Sequence, residues 1–270
     1  MRKLSLRERS QHMPWAATGD ASADLPGWVQ RAIARGASHA SRTLPADALL
    51  GEDLAQATRH AFLQCLDALP GGACRAWSFL PRPTDHDGDV LERYMRFNAG
   101  RTSAYRSRPE RVTVIPAGTC VGHAGTRLVV HALHIPGPLQ AVENPRQRPA
   151  WLYSERFGPV PPAFTRGMLA GGMLLASGTA AVVGERSMHL DDLEAQFQES
   201  LRNLQALADA CGASGAWRSM QIYARDAHAA VLVEQLAHHA FGAGLERVLV
   251  APLCRAELLV ELEGVADVEG

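Results

Sequence analysis

Apolar positions along this chain recur with two different periods, and the switches between them lay out an ordered series of helices and strands. Over residues 52–69, Leu54, Ala61, Phe62, Cys65 and Leu69 fall on one helical face, and Gly71-Gly72 stops the run. Residues 75–80 read as a short strand closed by Pro81 and Pro83. A helix rich in arginine and aromatic residues is predicted over 91–105, and strands over 112–115 and 128–135. A proline-rich connection, residues 136–162, follows. Beyond it the pattern predicts a buried strand over 172–183 and a helix over 192–211, with Leu193, Phe197, Leu201, Leu204 and Ala208 on one stripe and Gly212 to end it. A strand (220–225), a helix (227–241) and a final strand pair complete the chain.

Alternation of this kind predicts an α/β (α+β) sandwich in which mixed sheets carry helices on one face. The expected organisation is a polar, loosely held arm (1–26), an N-terminal α/β half (27–135) and a C-terminal half (136–270).

Composition narrows the class of partner. The 27 basic and 28 acidic residues nearly cancel, so no general attraction to nucleic acid or membrane is implied, although local clusters still bind anions. Lys3 is the sole lysine, so the basic side chains are almost all planar guanidinium groups. The five cysteines lie far apart with no metal or redox spacing, which together with the absence of a signal segment reads as a reduced, cytoplasmic, soluble protein. The longest apolar stretch, residues 168–183, is interrupted by glycine, serine and threonine and does not read as a membrane span.

Candidate chemistry concentrates at the end of the chain. In Val248-Leu249-Val250-Ala251-Pro252-Leu253-Cys254-Arg255-Ala256-Glu257-Leu258-Leu259-Val260-Glu261-Leu262-Glu263, an apolar run enters a turn with a thiol and a guanidinium, then re-emerges as a second strand. Glu261 and Glu263, two apart, share one face of that strand. A carboxyl among apolar neighbours holds its proton more tightly and becomes a proton donor near neutral pH. The spacing alone equally describes two carboxylates on the solvated face of an edge strand, the commoner fate of such residues.

Arginines recur beside aromatic rings in Arg93-Tyr94-Met95-Arg96-Phe97-Asn98-Ala99-Gly100-Arg101, and Arg146 and Arg225 sit at a loop and a strand end. Guanidinium forks suit carboxylates, although most arginines serve solvation or structure. The glycine-rich segment 171–184 lacks the spacing and the lysine of a phosphate loop. His131 and His134 diverge on a strand, His238 and His239 diverge on a helix, and no metal site is expected. No nucleophile elbow is present.

Taken together, several motifs resemble the chorismatases, also described as pteridine-dependent dioxygenase-like proteins and related to the 3-hydroxybenzoate synthases. The segments are Arg93 to Arg101 as quoted, Glu143-Asn144-Pro145-Arg146-Gln147, Phe157-Gly158-Pro159, Ser177-Gly178-Thr179-Ala180, Glu199-Ser200-Leu201-Arg202-Asn203-Leu204 and Cys254 to Glu261. They run in the family's order over about residues 75–264. The resemblance implies a Rid/YjgF-like fold of two related halves, with most of the active site in the C-terminal half. It also implies chorismate as substrate, no metal or organic cofactor, and release of pyruvate. It places Glu261 as the acid with Cys254 beside it, and Arg146, Tyr153, Arg166, Gly178, Tyr223, Arg225 and Arg255 around the substrate. Glycine at 178 and cysteine at 254 resemble members that form 3-hydroxybenzoate, with 4-hydroxybenzoate as a further product. Hydrolytic members, which give a dihydroxy-cyclohexadiene carboxylate, tend to carry alanine there.

Departures from the family pattern are Trp151-Leu152-Tyr153-Ser154 in place of Tyr-Arg-Tyr-Pro or Tyr-His-Tyr-Pro, Gly184-Glu185 in place of Gly-His, and Pro252 in place of an aspartate. They keep three alternatives open: the hydrolytic reaction, a Rid-like binding protein without catalysis, and a Rid-type imine deaminase. A homotrimer and a monomer are both compatible with the resemblance.

Overall fold

The computed structural model describes residues 25–46, 49–86 and 88–268, so the arm expected over 1–26 lies outside the described residues except for Leu25 and Pro26. Two mixed sheets stack face to face, and each carries a pair of helices on its outer side.

The first sheet holds β1 (Ser38–Pro45), β2 (Arg75–Pro81), β3 (Ala117–His123) and β4 (Arg127–His134) in the order β1-β4-β2-β3. Only the β2–β3 pair is parallel. Its helices are α2 (Gly51–Asp67) and α3 (Arg93–Arg106), which follow the short α1 (Gly27–Ile33). Leu54, Ala61, Phe62, Cys65 and Leu66 of α2 are buried with Phe97, Ala104 and Tyr105 of α3 against Leu80, Leu128 and Val130 of the sheet. Gly100 sets how closely the two helices approach, because a Cβ there would lie 2.2 Å from the Ala55 carbonyl oxygen.

The second sheet contains β5 (Gln140–Val142), β6 (Gly167–Ala170), β7 (Met173–Ala180), β10 (Ala213–Ala224), β11 (Leu245–Val250) and β12 (Val260–Val268). Their order is β11-β10-β12-β7-β6-β5, with β10 and β11 parallel. A small hairpin, β8 (Val182–Val183) and β9 (Arg186–Ser187), projects from the end of β7. On the outer face lie α4 (Leu193–Asp209) and α5 (Ala227–Phe241), whose first turns are capped by Asp192 accepting from Ala195 N and Asp226 accepting from Ala229 N. Phe197, Leu204 and Leu207 of α4 pack with Val233 and Ala237 of α5 on Leu174, Ile222 and Leu262. Between the sheets a third core gathers Trp28, Trp77, Phe79, Val121, Leu175, Leu253 and Val265. The layers therefore run helix, sheet, sheet, helix.

Several sequence expectations are corrected. Residues 112–115 are irregular, and the strand begins only after Pro116, which has no N–H to give a ladder. The strand expected over 172–183 forms as the largely buried β7 (Met173–Ala180) but breaks at Ala181 before the short β8, and it starts from a turn in which Gly171 and Gly172 adopt φ of +58° and +74° and join β6 to β7. The final strands are not neighbours, since β10 lies between β11 and β12. Glu261 and Glu263 stand on an interior strand with only 5% and 3% of their surface exposed, so the solvated-edge reading is wrong for both. Strands β7 and β10, distant in sequence, flank β12 on both sides, and the first sheet packs over the face that carries the two carboxyls, which removes the water. Among the described residues no helix is long and apolar enough to cross a membrane.

Candidate active site

The two sheets meet where β3 passes β7. Gly118 N donates to Ser177 Oγ (2.7 Å), Ser177 Oγ donates to the Thr165 carbonyl (2.5 Å), and Gly178 N donates to Thr119 Oγ1 (2.9 Å). Opposite these residues the β7–β12 register slips: Leu262 pairs with Thr179, yet Gly264 pairs with Ala176. Ser177 and Gly178 together face Glu263, which makes a bulge that turns Ser177 and the Gly178 N–H toward the first sheet.

Beside that bulge lies a cavity of about 200 Å³. Its wall draws on α3 (Tyr94, Met95, Arg101), β3 (Gly118, Cys120), the connection (Gln147, Tyr153, Phe157, Phe164, Arg166), β7 (Gly178, Ala180) and the turn Cys254-Arg255. Glu261 is part of the lining. A Cβ on residue 178 would lie 2.0 Å from Glu261 Oε1, so glycine is the one residue that leaves this carboxyl its place. Burial is the main cause that lifts the Glu261 pKa to about 8, helped by the Glu263 charge and opposed by Arg75, Arg166 and Arg255. A carboxyl so placed keeps its proton at neutral pH and can deliver it to a bound molecule.

Glu263 has a different environment. It accepts from Arg75 Nη2 (2.7 Å), Thr119 Oγ1 (2.5 Å), Trp77 Nε1 (3.0 Å), Gln221 Nε2 (3.0 Å) and Tyr223 OH (3.2 Å). Arg75 is itself buried and stacks on Trp77 at 4.6 Å.

Four arginines of the cavity wall lie over aromatic rings: the exposed Arg156, over Phe157 at 5.5 Å, and three less exposed ones. Arg101 lies over Phe97 (5.0 Å), Arg166 over Phe164 (5.1 Å) and Arg255 over Phe157 (4.1 Å). Their hydrogen bonds go to neutral groups: Arg101 to Asn98 Oδ1, Arg166 to Tyr153 OH (2.6 Å) and the Arg148 carbonyl, Arg255 to Ser187 Oγ and the Glu185 carbonyl. Among the described residues none of the three has a carboxylate ion pair, and Arg101 Nε and Arg166 Nε have no partner. Glu92 and Glu257 also line the cavity, but neither is ion-paired to these guanidinium groups, which are left able to receive anionic groups.

Cys254 has its thiol pKa pushed up to about 12, first by burial and then by Glu261, and it therefore keeps its proton. Tyr94 hydrogen-bonds to it. The polar stripe of α4 fixes the backbone around the acid. Gln196 accepts from Leu259 N (2.8 Å) and donates to the Glu257 carbonyl, and Asn203 donates to the carbonyls of Ala180 and Val182.

Of the residues singled out from sequence, Glu261, Cys254, Tyr153, Arg166, Gly178 and Arg255 come together in this cavity. Arg146, Tyr223 and Arg225 do not line it. Arg146 is ion-paired to Glu199 and bonded to Asn203, Tyr223 is fully buried against Glu263 and Gln221, and Arg225 pairs with Asp226 at the surface. The structure adds Arg101, Tyr94, Gln147, Phe157 and Phe164. Arginine interleaved with aromatics signalled Arg101, but its neighbours Arg93 and Arg96 share the signal and are structural. Arg93 donates to the carbonyls of Pro81, Leu49 and Ala46, and Arg96 binds Asp89 and Glu52. Two of the departures from the family pattern touch each other: Glu185 Oε1 accepts from Ser154 Oγ at 2.7 Å and Oε2 from Ser154 N at 3.0 Å.

A carboxyl that keeps its proton thus shares one cavity with ring-stacked guanidinium groups that no carboxylate is bonded to. Comparisons with known proteins define the class. Residues 15–134 match the family described as chorismatase FkbO/Hyg5-like, N-terminal. A 3-hydroxybenzoate synthase of Streptomyces hygroscopicus is 30% identical over 234 residues, covering 78% of this chain and 69% of that protein. A chorismatase of Streptomyces rapamycinicus is 30% identical over 213 residues, 71% of this chain and 63% of that protein. A crystal structure of a chorismatase shares the fold with a TM-score of 0.73 at 24% identity, over 84% of this chain and 74% of that one. The chain belongs to the chorismatase family.

Proposed function

We propose that this chain converts chorismate to 3-hydroxybenzoate and pyruvate. The observation that carries the reading is Glu261: a carboxyl with its pKa raised to about 8, set in a cavity with Arg101, Arg166 and Arg255, none of them ion-paired to a carboxylate among the described residues. Chorismate has two carboxylates and an enol ether. Arg166 and Arg255, with Arg101 across the cavity, suit the carboxylates. Held in this way, the methylene of the enol ether lies against the Glu261 carboxyl, which protonates it. The resulting oxocarbenium ion is trapped by the ring hydroxyl next to the ether. Loss of the ring proton at the ether carbon and cleavage of that hydroxyl's ring C–O bond aromatise the ring, and the hemiketal so formed collapses to 3-hydroxybenzoate and pyruvate with no water consumed overall. Positioning of this kind is worth several kcal/mol, on the order of 7–11 in the most favourable intramolecular cases.

The aromatic product is favoured over the diene diol by Gly178 and Cys254. Residue 178 decides where the acid can sit, and the neutral Cys254 thiol, hydrogen-bonded by Tyr94, stands beside it. Arg146 and Tyr223 act in this reading at one remove, Arg146 through Glu199 and Asn203 and Tyr223 through Glu263.

Incubation with chorismate, following pyruvate and separating products by chromatography with mass detection, tests the proposal. Stoichiometric pyruvate with 3-hydroxybenzoate is expected. Pyruvate with the dihydroxy-cyclohexadiene carboxylate would retain chorismate as substrate and remove the assignment based on Gly178 and Cys254. Binding of chorismate without pyruvate release would favour the non-catalytic alternative.

A further inference from the structure

Gly184 and Glu185 form the tip of the β8–β9 hairpin, and the backbone on both sides of that tip is tied down. Gly184 N donates to the Arg146 carbonyl and Arg148 N to the Gly184 carbonyl, both at 2.8 Å. The Glu185 carbonyl accepts from Arg255 Nη1 at 3.0 Å. From this fixed point the Glu185 carboxylate reaches across to Ser154, accepting from its hydroxyl and its backbone N–H, with Arg148 Nη1 at 3.2 Å as a third donor. The two Ser154 bonds and Arg148 hold the carboxyl below its usual range.

Ser154 occupies the joint between two single 3₁₀ turns, Ala150–Leu152 and Glu155–Phe157. That joint presents Tyr153 and Phe157, whose rings lie 5.0 Å apart, as one wall of the cavity. Tyr153 OH accepts from Arg166, and Phe157 underlies Arg255. Among the described residues no other side chain bonds the backbone of residues 151–158. The aromatic wall on which both arginines rest is thus joined to the rest of the second half, at backbone level, through one carboxylate.

We propose that Glu185 and Ser154 form a latch in which Glu185 is a positioning residue: it holds the Tyr153–Phe157 wall, and through it Arg166 and Arg255, in register with the substrate carboxylates. The latch rests on the functional reading above for its effect on catalysis, but not for its existence. Losing it leaves Glu261 and Gly178 in place, so its signature is weaker ground-state binding rather than a slower chemical step.

Hydrogen–deuterium exchange and steady-state pyruvate release on Glu185→Ala, Glu185→Gln and Ser154→Ala test it. For Glu185→Ala the expected result is faster exchange in the peptide covering 150–158 alone, an unchanged melting temperature, and KM for chorismate raised about tenfold with kcat within about threefold. Glu185→Gln retains an acceptor oxygen and should recover most of the KM. Wild-type exchange and KM in Glu185→Ala would overturn the latch. So would kcat and melting temperature falling together, the mark of a merely structural residue. If the unmodified protein releases no pyruvate, the functional reading fails on its own, and the exchange data still decide whether the latch exists.

Discussion

Glu261 and Glu263 sit two residues apart on one strand, on the same face and almost equally buried, yet their surroundings send them in opposite directions. Glu263 is met by five donors, including a guanidinium, and serves as an anchor between the sheets. Glu261 accepts no hydrogen bond among the described residues and borders a cavity. Removal of water raises the cost of charge at both positions. At Glu263 the donors offset that cost. At Glu261 no hydrogen-bond donor does, the charges of Arg75, Arg166 and Arg255 offset it only in part, and the carboxyl avoids the charge by holding a proton. The lesson is that burial prepares a carboxyl for either fate, and the count of donors within reach selects between them.

Substitutions that erase the difference between the two should show it. Glu261→Gln removes the donated proton, and pyruvate release should fall on the order of 10³-fold with the melting temperature preserved, within the range known for general acids. Wild-type rates in that variant would dismiss the acid. In the unmodified enzyme, activity should decline as pH rises through about 8, where the acid form is lost. Stability follows the same sign. The folded chain keeps a proton that the unfolded chain releases near the ordinary 4.5, so this contribution is fully present below 4.5 and disappears as pH climbs past about 8. Urea titrations of Glu261→Gln should lack that slope.

Glu263→Gln leaves Arg75 buried without its anion and should cost about 3–5 kcal/mol in urea unfolding. Because the Glu263 charge helps raise the Glu261 pKa, the alkaline limb of the activity profile should also move to lower pH. An unmoved limb would make Glu263 an anchor and nothing more. Gly178→Ala displaces the acid sideways, and a loss of roughly 10–100-fold in turnover is expected, with more diene diol among the products. Cys254→Ala should have the smallest effect. Its stability should change by about 1 kcal/mol, and the ratio of 3-hydroxybenzoate to diene should shift. An unchanged ratio would free the thiol of any part in the outcome.

Much of the fold is legible in the chain because its helices are periodic and its breakers are strong. The α2 and α4 stripes and Gly71-Gly72 identify themselves without tertiary help. What is not legible is whatever depends on pairing. Segment 38–45 has mixed burial and becomes a strand only against β4, and 117–123 is drawn into the sheet by β2. At the site, Glu261, Cys254, Arg255 and Gly178 lie in recognisable motifs, as do Tyr153 and Arg166 through the resemblance. Arg101 could not be separated from Arg93 and Arg96, because the distinction is whether a carbonyl, a carboxylate or open space faces the guanidinium. Arg146 stands outside the cavity for a similar reason, having met Glu199, 53 positions on, which the one-dimensional pattern does not show, whereas Arg225 pairs with its immediate neighbour Asp226.

One atom described above joins the two sheets most closely. Thr119 Oγ1 receives Arg75 Nη2 and Gly178 N and gives its hydrogen to Glu263. A hydroxyl owns a single hydrogen and two lone pairs, so its valence is full. A change on β7 at residue 178 is therefore felt at once by a side chain encoded some sixty positions earlier, with no spare bonding capacity to absorb it. The two parts of the gene are constrained to drift together at this point, and a chimera that takes its first sheet from a distant relative must bring a residue here that answers the same three neighbours.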